Sequence, residues 1–147
     1  RWTGSVDIKE LLEMIVNRDP LKLSASSMES MLKQGNVSLL TKMMLDENAV
    51  FPAFLDLLVH EKWPVRLGAM VAMEEIAEKN KKLASTVVEP LWNRFLHAED
   101  RVKGDILYIL GEAGDHELIP RLEMISEGQY DAELKEAASE AIEKIKF

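Results

Sequence analysis

The sequence of 147 residues predicts an all-α fold of helical hairpins stacked side by side. Two observations lead to this prediction. A proline followed 12 to 14 residues later by an apolar-basic pair of residues occurs three times along the chain. After each pair, apolar residues recur at the spacing of one helical face, as in Val102, Ile106, Ile109 and Leu110. Each repeat is therefore long enough for two helices.

The three repeats share the order proline, apolar-basic pair, then an apolar residue three positions after the pair. They contain Pro52, Val65-Arg66 and Ala69; Pro90, Val102-Lys103 and Ile106; and Pro120, Leu134-Lys135 and Ala138. We predict first helices at about residues 50–59, 83–96 and 118–126, each followed by a turn and a second helix. Because proline removes a backbone donor, the three prolines in register predict a bend in each first helix.

Residues at the predicted helix ends support these boundaries. Asp100 can accept the free N–H groups at the start of a helix, and Pro64 suits a first helical turn. Gly114 can adopt the left-handed conformation that ends a helix. These residues place the turns between the predicted helices.

This combination resembles HEAT repeats, in which proline often kinks the first helix and Val-Arg before a small residue opens the second. Residues 109–115, Ile-Leu-Gly-Glu-Ala-Gly-Asp, also resemble the end of such a unit. The resemblance covers about residues 49–147 and implies a short right-handed HEAT-like superhelix, an α-solenoid of about four hairpins. Many HEAT repeats place an acidic residue in the turn before Val-Arg, whereas this chain has His60 and His97 there.

The first hairpin is predicted to be degenerate. Ser26 with Glu29 forms a capping box that predicts a helix to about Lys33, and Gly35-Asn36 separates it from a helix through Met44. The repeat domain is therefore assigned to residues 21–147.

Residues 1–20 are interpreted as an N-terminal helix and a linker that ends at Asp19-Pro20. Residues 1–18 also resemble the last strand and closing helix of a thioredoxin-like domain, which is the alternative to an ordinary solenoid helix. Since the chain begins at Arg1 and not at methionine, we expect it to be part of a longer or processed polypeptide.

Charge and composition exclude several classes of function. The net charge is −8, and residues 112–147 contain ten acidic and four basic residues, so binding to nucleic acid is not expected. The chain has no cysteine, and its apolar stretches are shorter than the roughly 18 residues of a membrane span. We therefore expect no nucleic-acid partner, no membrane partner and a cytoplasmic location.

The histidines do not predict a catalytic or metal site. His60 and His97 occupy equivalent turns of neighbouring repeats, which packed helices separate by roughly 8 to 10 Å. The dipeptides His60-Glu61 and His116-Glu117 do not match HEAT-like di-iron hydroxylases, in which such pairs lie early in second helices. No phosphate-binding loop or nucleophile elbow is present. We predict no catalytic residue, no metal ligand and no cofactor.

The side of the second helices opposite their core stripe predicts a partner-binding site. Its apolar members are Leu67, Met70, Val71, Leu107 and Tyr108, with Glu74 and Glu140 at an acidic margin. Second helices usually line the inner face of a HEAT array, and an apolar patch with a polar rim often marks an interaction site. Gly104 and Gly111 are expected to let a partner approach closely. The alternative is that neighbouring helices or a preceding domain cover this face.

The leading hypothesis is a non-enzymatic protein or peptide interaction module, a scaffold whose acidic margin favours basic partners. A second hypothesis is the C-terminal helical appendage of a thioredoxin-like oxidoreductase that positions client proteins. A stand-alone enzyme of the HEAT class is the third.

Overall fold

The computed structural model describes residues 22–147, and every regular element in that range is a helix, without a strand. Its helices are α1 (Ala25–Lys33), α2 (Val37–Glu47), α3 (Phe54–Leu58), α4 (Trp63–Lys79), α5 (Lys81–Ala84), α6 (Val88–Phe95), α7 (Asp100–Ala113), α8 (Ile119–Ser126) and α9 (Ala132–Lys146). The predicted all-α class is confirmed. The predicted N-terminal helix, the linker and the thioredoxin-like resemblance fall on residues 1–20, outside the described range.

The long helices α4, α7 and α9 form one layer, in which α4 packs against α7 and α7 packs against α9. Each also packs against the shorter helix that precedes it in a pair: α3 with α4, α6 with α7, and α8 with α9. Helix α2 packs against α4, and α1 contacts α2, α3 and α4. Neighbouring pairs therefore contact each other along the chain, with the second helices adjacent.

Ion pairs connect the shorter helices into a second layer. Arg94 of α6 donates to Asp56 of α3 at 2.8 Å. Arg121 of α8 donates two hydrogen bonds, of 2.9 and 2.6 Å, to the carboxylate of Glu89 on α6. The guanidinium beside Glu89 lowers the pKa of that carboxyl. The first helices of successive pairs are thus joined at their exposed surface.

The repeated prolines lie at helix starts. Pro52 precedes α3, whereas Pro90 and Pro120 lie in the first turns of α6 and α8. The segment predicted as one helix over residues 83–96 is divided into α5, the 3₁₀ turn Ser85–Val87 and α6. A first-turn residue has no helical partner for its N–H group, so proline removes no helical hydrogen bond there. A 3₁₀ turn thus precedes Pro90 and another precedes Pro120, where the sequence predicted a bend within one continuous first helix.

Three other predicted helix ends also differ from the structure. Asp100 is the first residue of α7 and not its cap, which is Glu99 and makes no side-chain capping bond. Ser24, two residues before the predicted cap, caps α1 by accepting a 3.1 Å hydrogen bond from the Ser27 backbone, although α1 ends at Lys33 as predicted. Gly114 is extended at φ −83° and not left-handed. A Cβ atom on Gly114 would lie 2.7 Å from the Leu110 carbonyl oxygen, so close packing explains the absence of a side chain.

The hydrophobic core lies between the two layers. Its largest fully buried side chains include Phe51, Phe54 and Phe95. The predicted core stripes are confirmed at Val102, Ile106, Ile109 and Leu110 of α7 and at Leu134, Ala138, Ala141 and Ile142 of α9. In residues 22–147, no helix combines the length and the apolar character that crossing a membrane requires.

Candidate functional site

An open groove of about 820 Å³ follows the seam between α7 and α9 on the face formed by the second helices. The residues that matter most to its shape and charge are Met70 from α4, Gly104, Asp105 and Tyr108 from α7, and Glu136, Glu140, Glu143 and Phe147 at the α9 end. The volume is in the range of small-molecule sites, roughly 300 to 1,000 Å³. The groove has room for a few side chains of a partner.

The predicted apolar patch is only partly exposed. Leu67, Val71 and Tyr108 are 42%, 45% and 42% exposed, whereas Met70 and Leu107 are 6% and 0% exposed. The prediction that Leu107 lies on an accessible surface is wrong. Leu107 lies one helical turn before Gly111, on the side of α7 that packs against α9. Met70 is also buried, but it contributes to the lining of the groove.

Tyr108 is held in place by the helices on both sides of it. Its hydroxyl donates a 3.0 Å hydrogen bond to Glu74 of α4, and the Lys144 ammonium of α9 lies 5.8 Å from the ring centroid. Lys144 also forms an ion pair with Glu112. Burial and the hydrogen bond to Glu74 raise the pKa of Tyr108 to about 12. Tyr108 is therefore a neutral hydrogen-bond donor over the whole physiological pH range.

Glu74, predicted to lie at the acidic margin, instead connects two helices by accepting a hydrogen bond from the Tyr108 hydroxyl. Glu140 is exposed and lines the groove, together with Glu136 and Glu143 of the same helix. Within residues 22–147, none of these three α9 glutamates forms an ion pair with another side chain. The α9 wall of the groove therefore presents uncompensated negative charge.

An ion pair between the buried Arg66 and the partly exposed Asp105 was not predicted. Arg66 Nε donates to Asp105 Oδ2 at 2.6 Å, and Arg66 Nη1 donates to the His60 carbonyl oxygen at 2.7 Å. The turn before α4 has His60 in place of an acidic residue. The carboxylate that pairs with Arg66 comes instead from Asp105 of α7, the next second helix. The signal in the sequence was Arg66 itself, since a cation beside a core residue at the start of an amphipathic helix needs a partner.

The two glycines of α7 have different surroundings. A Cβ atom on Gly111 would lie 2.9 Å from Cα and 3.1 Å from Cβ of Ala141, so Gly111 allows α7 and α9 to approach each other. Gly111 also lines the groove, but the space of its missing side chain is taken by Ala141. A Cβ atom on Gly104 would meet no atom of residues 22–147 within 4 Å. Among the described residues, Gly104 therefore leaves open space on the face formed by the second helices.

The described residues contain no group of three or more metal-ligating side chains that could hold an ion. The Nε2 atom of His60 lies 3.3 Å from Glu29 Oε1. His97 lines a second, shallower pocket of about 470 Å³ together with Arg94. Since Arg94 is already paired with Asp56, that pocket offers no free charge from its arginine.

Comparisons with protein-family models, with curated proteins and with solved structures each found no significant match.

Proposed function

We propose that this chain is a short HEAT-like solenoid that acts as a non-enzymatic interaction module, and that its inner groove binds an apolar and basic segment of a partner protein. The side-by-side packing of α4, α7 and α9, with a shorter helix paired to each, supports the solenoid. The Val-Arg pair at the start of α4 supports the HEAT resemblance. A cytoplasmic location is part of the proposal and rests on the sequence alone.

The observation that carries the proposal is the combination of open space and unequal charge in one groove. Gly104 leaves a gap on α7, with Met70 and Tyr108 on one side and the unpaired glutamates of α9 on the other. The other charged lining residues, Asp105 and Lys144, are neutralised by Arg66 and Glu112. A partner with Lys or Arg side chains complements the remaining negative charge, and its apolar side chains complement the floor.

A peptide-binding measurement on the full chain tests this function. The probes are short fluorescent peptides that combine Leu with Lys, and matched peptides in which Glu replaces every Lys. We expect the Leu-Lys peptides to bind more tightly. Gly104→Leu should weaken their binding by at least about tenfold, which corresponds to about 1.4 kcal/mol, because it fills the groove. The added Cβ atom contacts no described residue within 4 Å, so we expect the fold to be retained, which circular dichroism of the variant checks.

Two charge-reversal variants test the acidic wall, and the second of them is the matched control. Glu136→Lys with Glu140→Lys changes the α9 wall, whereas Glu123→Lys with Glu127→Lys makes the same change of net charge near α8. We expect only the first pair to abolish selectivity for Leu-Lys peptides. Equal losses from both pairs would show that binding follows net charge alone and would contradict the proposal.

A further inference from the structure

The inner face changes from apolar to acidic across its three long helices. On α4, Leu67 and Val71 are exposed apolar side chains. On α9, Glu136 and Glu140 are exposed carboxylates. Gly104 and Tyr108 of α7 lie between the two regions. A partner that covers all three helices therefore meets two different chemical surfaces.

Contacts place the apolar pair on the same face as the groove. Arg66 and Glu74 of α4 both bond to side chains of α7, which fixes the side of α4 that adjoins α7. Leu67, Met70 and Glu74 are spaced three and four residues apart and share one helical face. Met70 lines the groove and Glu74 holds Tyr108. Leu67 and Val71 do not line the groove itself, but they are exposed on the neighbouring part of α4, within one helical turn of Met70.

The helix layer sets the distance between the apolar and the acidic regions. Packed helix axes lie roughly 8 to 10 Å apart, so α4 and α9 are separated by about 16 to 20 Å across α7. An extended chain advances about 3.3 Å per residue and crosses this distance in about five or six residues. A helix advances only about 1.5 Å per residue and would need roughly 11 to 13 residues to cover the same distance. An extended segment therefore reaches both regions with about half as many residues.

We infer that the groove binds an extended bipartite segment, with apolar side chains on Leu67 and Val71 and Lys or Arg side chains against Glu136 and Glu140. The two parts of the segment lie about five or six residues apart. This inference rests on the proposed function and adds the composition and the spacing of the partner. Charge complementarity fixes which end of the segment covers α9.

A spacing series of peptides tests the inference on the full chain. The probes carry a Leu-Leu pair and a Lys-Lys pair joined by Gly-Ser spacers, with the pairs separated by about two, six or ten residues. Fluorescence anisotropy measures the affinity of each. We expect the tightest binding at about six residues and a loss of about tenfold at two, because a short spacer cannot reach both regions.

Two sets of variants assign the ends of the segment. Leu67→Ser with Val71→Ser should remove the contribution of the Leu-Leu pair and leave that of the Lys-Lys pair. Glu136→Gln with Glu140→Gln should have the opposite effect. Met124→Ser, which changes an exposed apolar side chain on α8, is the control and should leave both contributions unchanged.

The outcomes separate the inference from the proposed function. If no Leu-Lys peptide binds, the proposed function fails. If the peptides bind through the groove with an affinity independent of spacing, only the bipartite inference fails. Sedimentation of the unliganded chain tests a different occupant. A dimer that dissociates on Leu67→Ser with Val71→Ser would show that a second copy covers this face, and would overturn the inference.

Discussion

Arg66 and Asp105 form a 2.6 Å ion pair that joins α4 to α7 across 39 residues of sequence. The arginine is buried, and its Nη1 atom also bonds to the His60 carbonyl oxygen in the turn before α4. One side chain therefore fixes both the turn of its own hairpin and the position of the next second helix. The groove depends on the position of α7, because Gly104 and Tyr108 of this helix line it.

Removal of the carboxylate should destabilise the fold. Asp105→Ala leaves a buried guanidinium without its anion, and we expect a loss of about 2 to 3 kcal/mol in the free energy of unfolding. Asp56→Ala removes another Asp-Arg pair between helices, but Asp56 is 60% exposed against 21% for Asp105. It should cost less than about 1 kcal/mol. Urea unfolding of both variants makes the comparison, and equal losses would contradict this role for Asp105.

The two glycines of α7 should respond in opposite directions to the same substitution. Gly111→Ala introduces a methyl group 2.9 Å from the backbone of α9 and should destabilise the protein by about 1 to 3 kcal/mol. Gly104→Ala meets open space and should stabilise the helix by up to about 1 kcal/mol. The urea concentration at the midpoint of unfolding reports both effects, provided that the m-value is the same for the variants. Two shifts of the same sign would show that the helix spacing is wrong.

Alanine substitutions at Leu107 and Leu67 should change the stability of the protein by very different amounts, because only Leu107 is in the core. Leu107→Ala removes a fully buried side chain and should cost about 2 to 5 kcal/mol. Leu67→Ala changes an exposed side chain and should alter stability by no more than about 0.5 kcal/mol. Thermal unfolding measures both. If Leu107→Ala were as stable as the unsubstituted protein, the burial of Leu107 would be contradicted and an exposed position would be supported.

Alkaline pH should destabilise the fold through Tyr108. Burial and Glu74 raise its pKa to about 12, whereas the unfolded chain ionises this group at a pH of about 10. The unfolded state therefore loses its proton first. The stabilising contribution is complete below pH 10 and is lost as the pH rises from about 10 to 12. Tyr108→Phe should reduce this loss, which urea unfolding across that range measures. The control variant Tyr130→Phe should retain this loss of stability. If the free energy of unfolding of Tyr108→Phe fell with pH as steeply as that of the unsubstituted protein, the assignment to Tyr108 would be contradicted.

Helix periodicity predicted the core stripes of α7 and α9 because each stripe depends only on local spacing. It misplaced Leu107 because a second helix contacts both its own partner and the neighbouring second helices, which widens the buried surface beyond one stripe. The contact of Gly111 with Ala141 and the pairing of Arg66 with Asp105 depend on the distance between α7 and its neighbours. That distance is a property of the assembled layer and has no local signature in the sequence.

The acidic margin at Glu140 could be predicted from the sequence, but the lack of a basic partner for it could not. Glu136, Glu140 and Glu143 share a helical face, which the sequence shows directly. That Lys144 pairs with Glu112 and leaves these carboxylates uncompensated depends on the approach of α9 to α7. The groove becomes visible only when the three helices are placed together.

The measurement that tests the account most directly is a peptide titration of the ¹⁵N-labelled full chain, followed at the glycine amides by NMR. The probe is the Leu-Leu, Lys-Lys peptide with a separation of about six residues. The account predicts that the Gly104 amide shifts with binding while Gly128, in the turn between α8 and α9, does not. Saturation without a shift at Gly104, or shifts confined to α6 and α8, would contradict it.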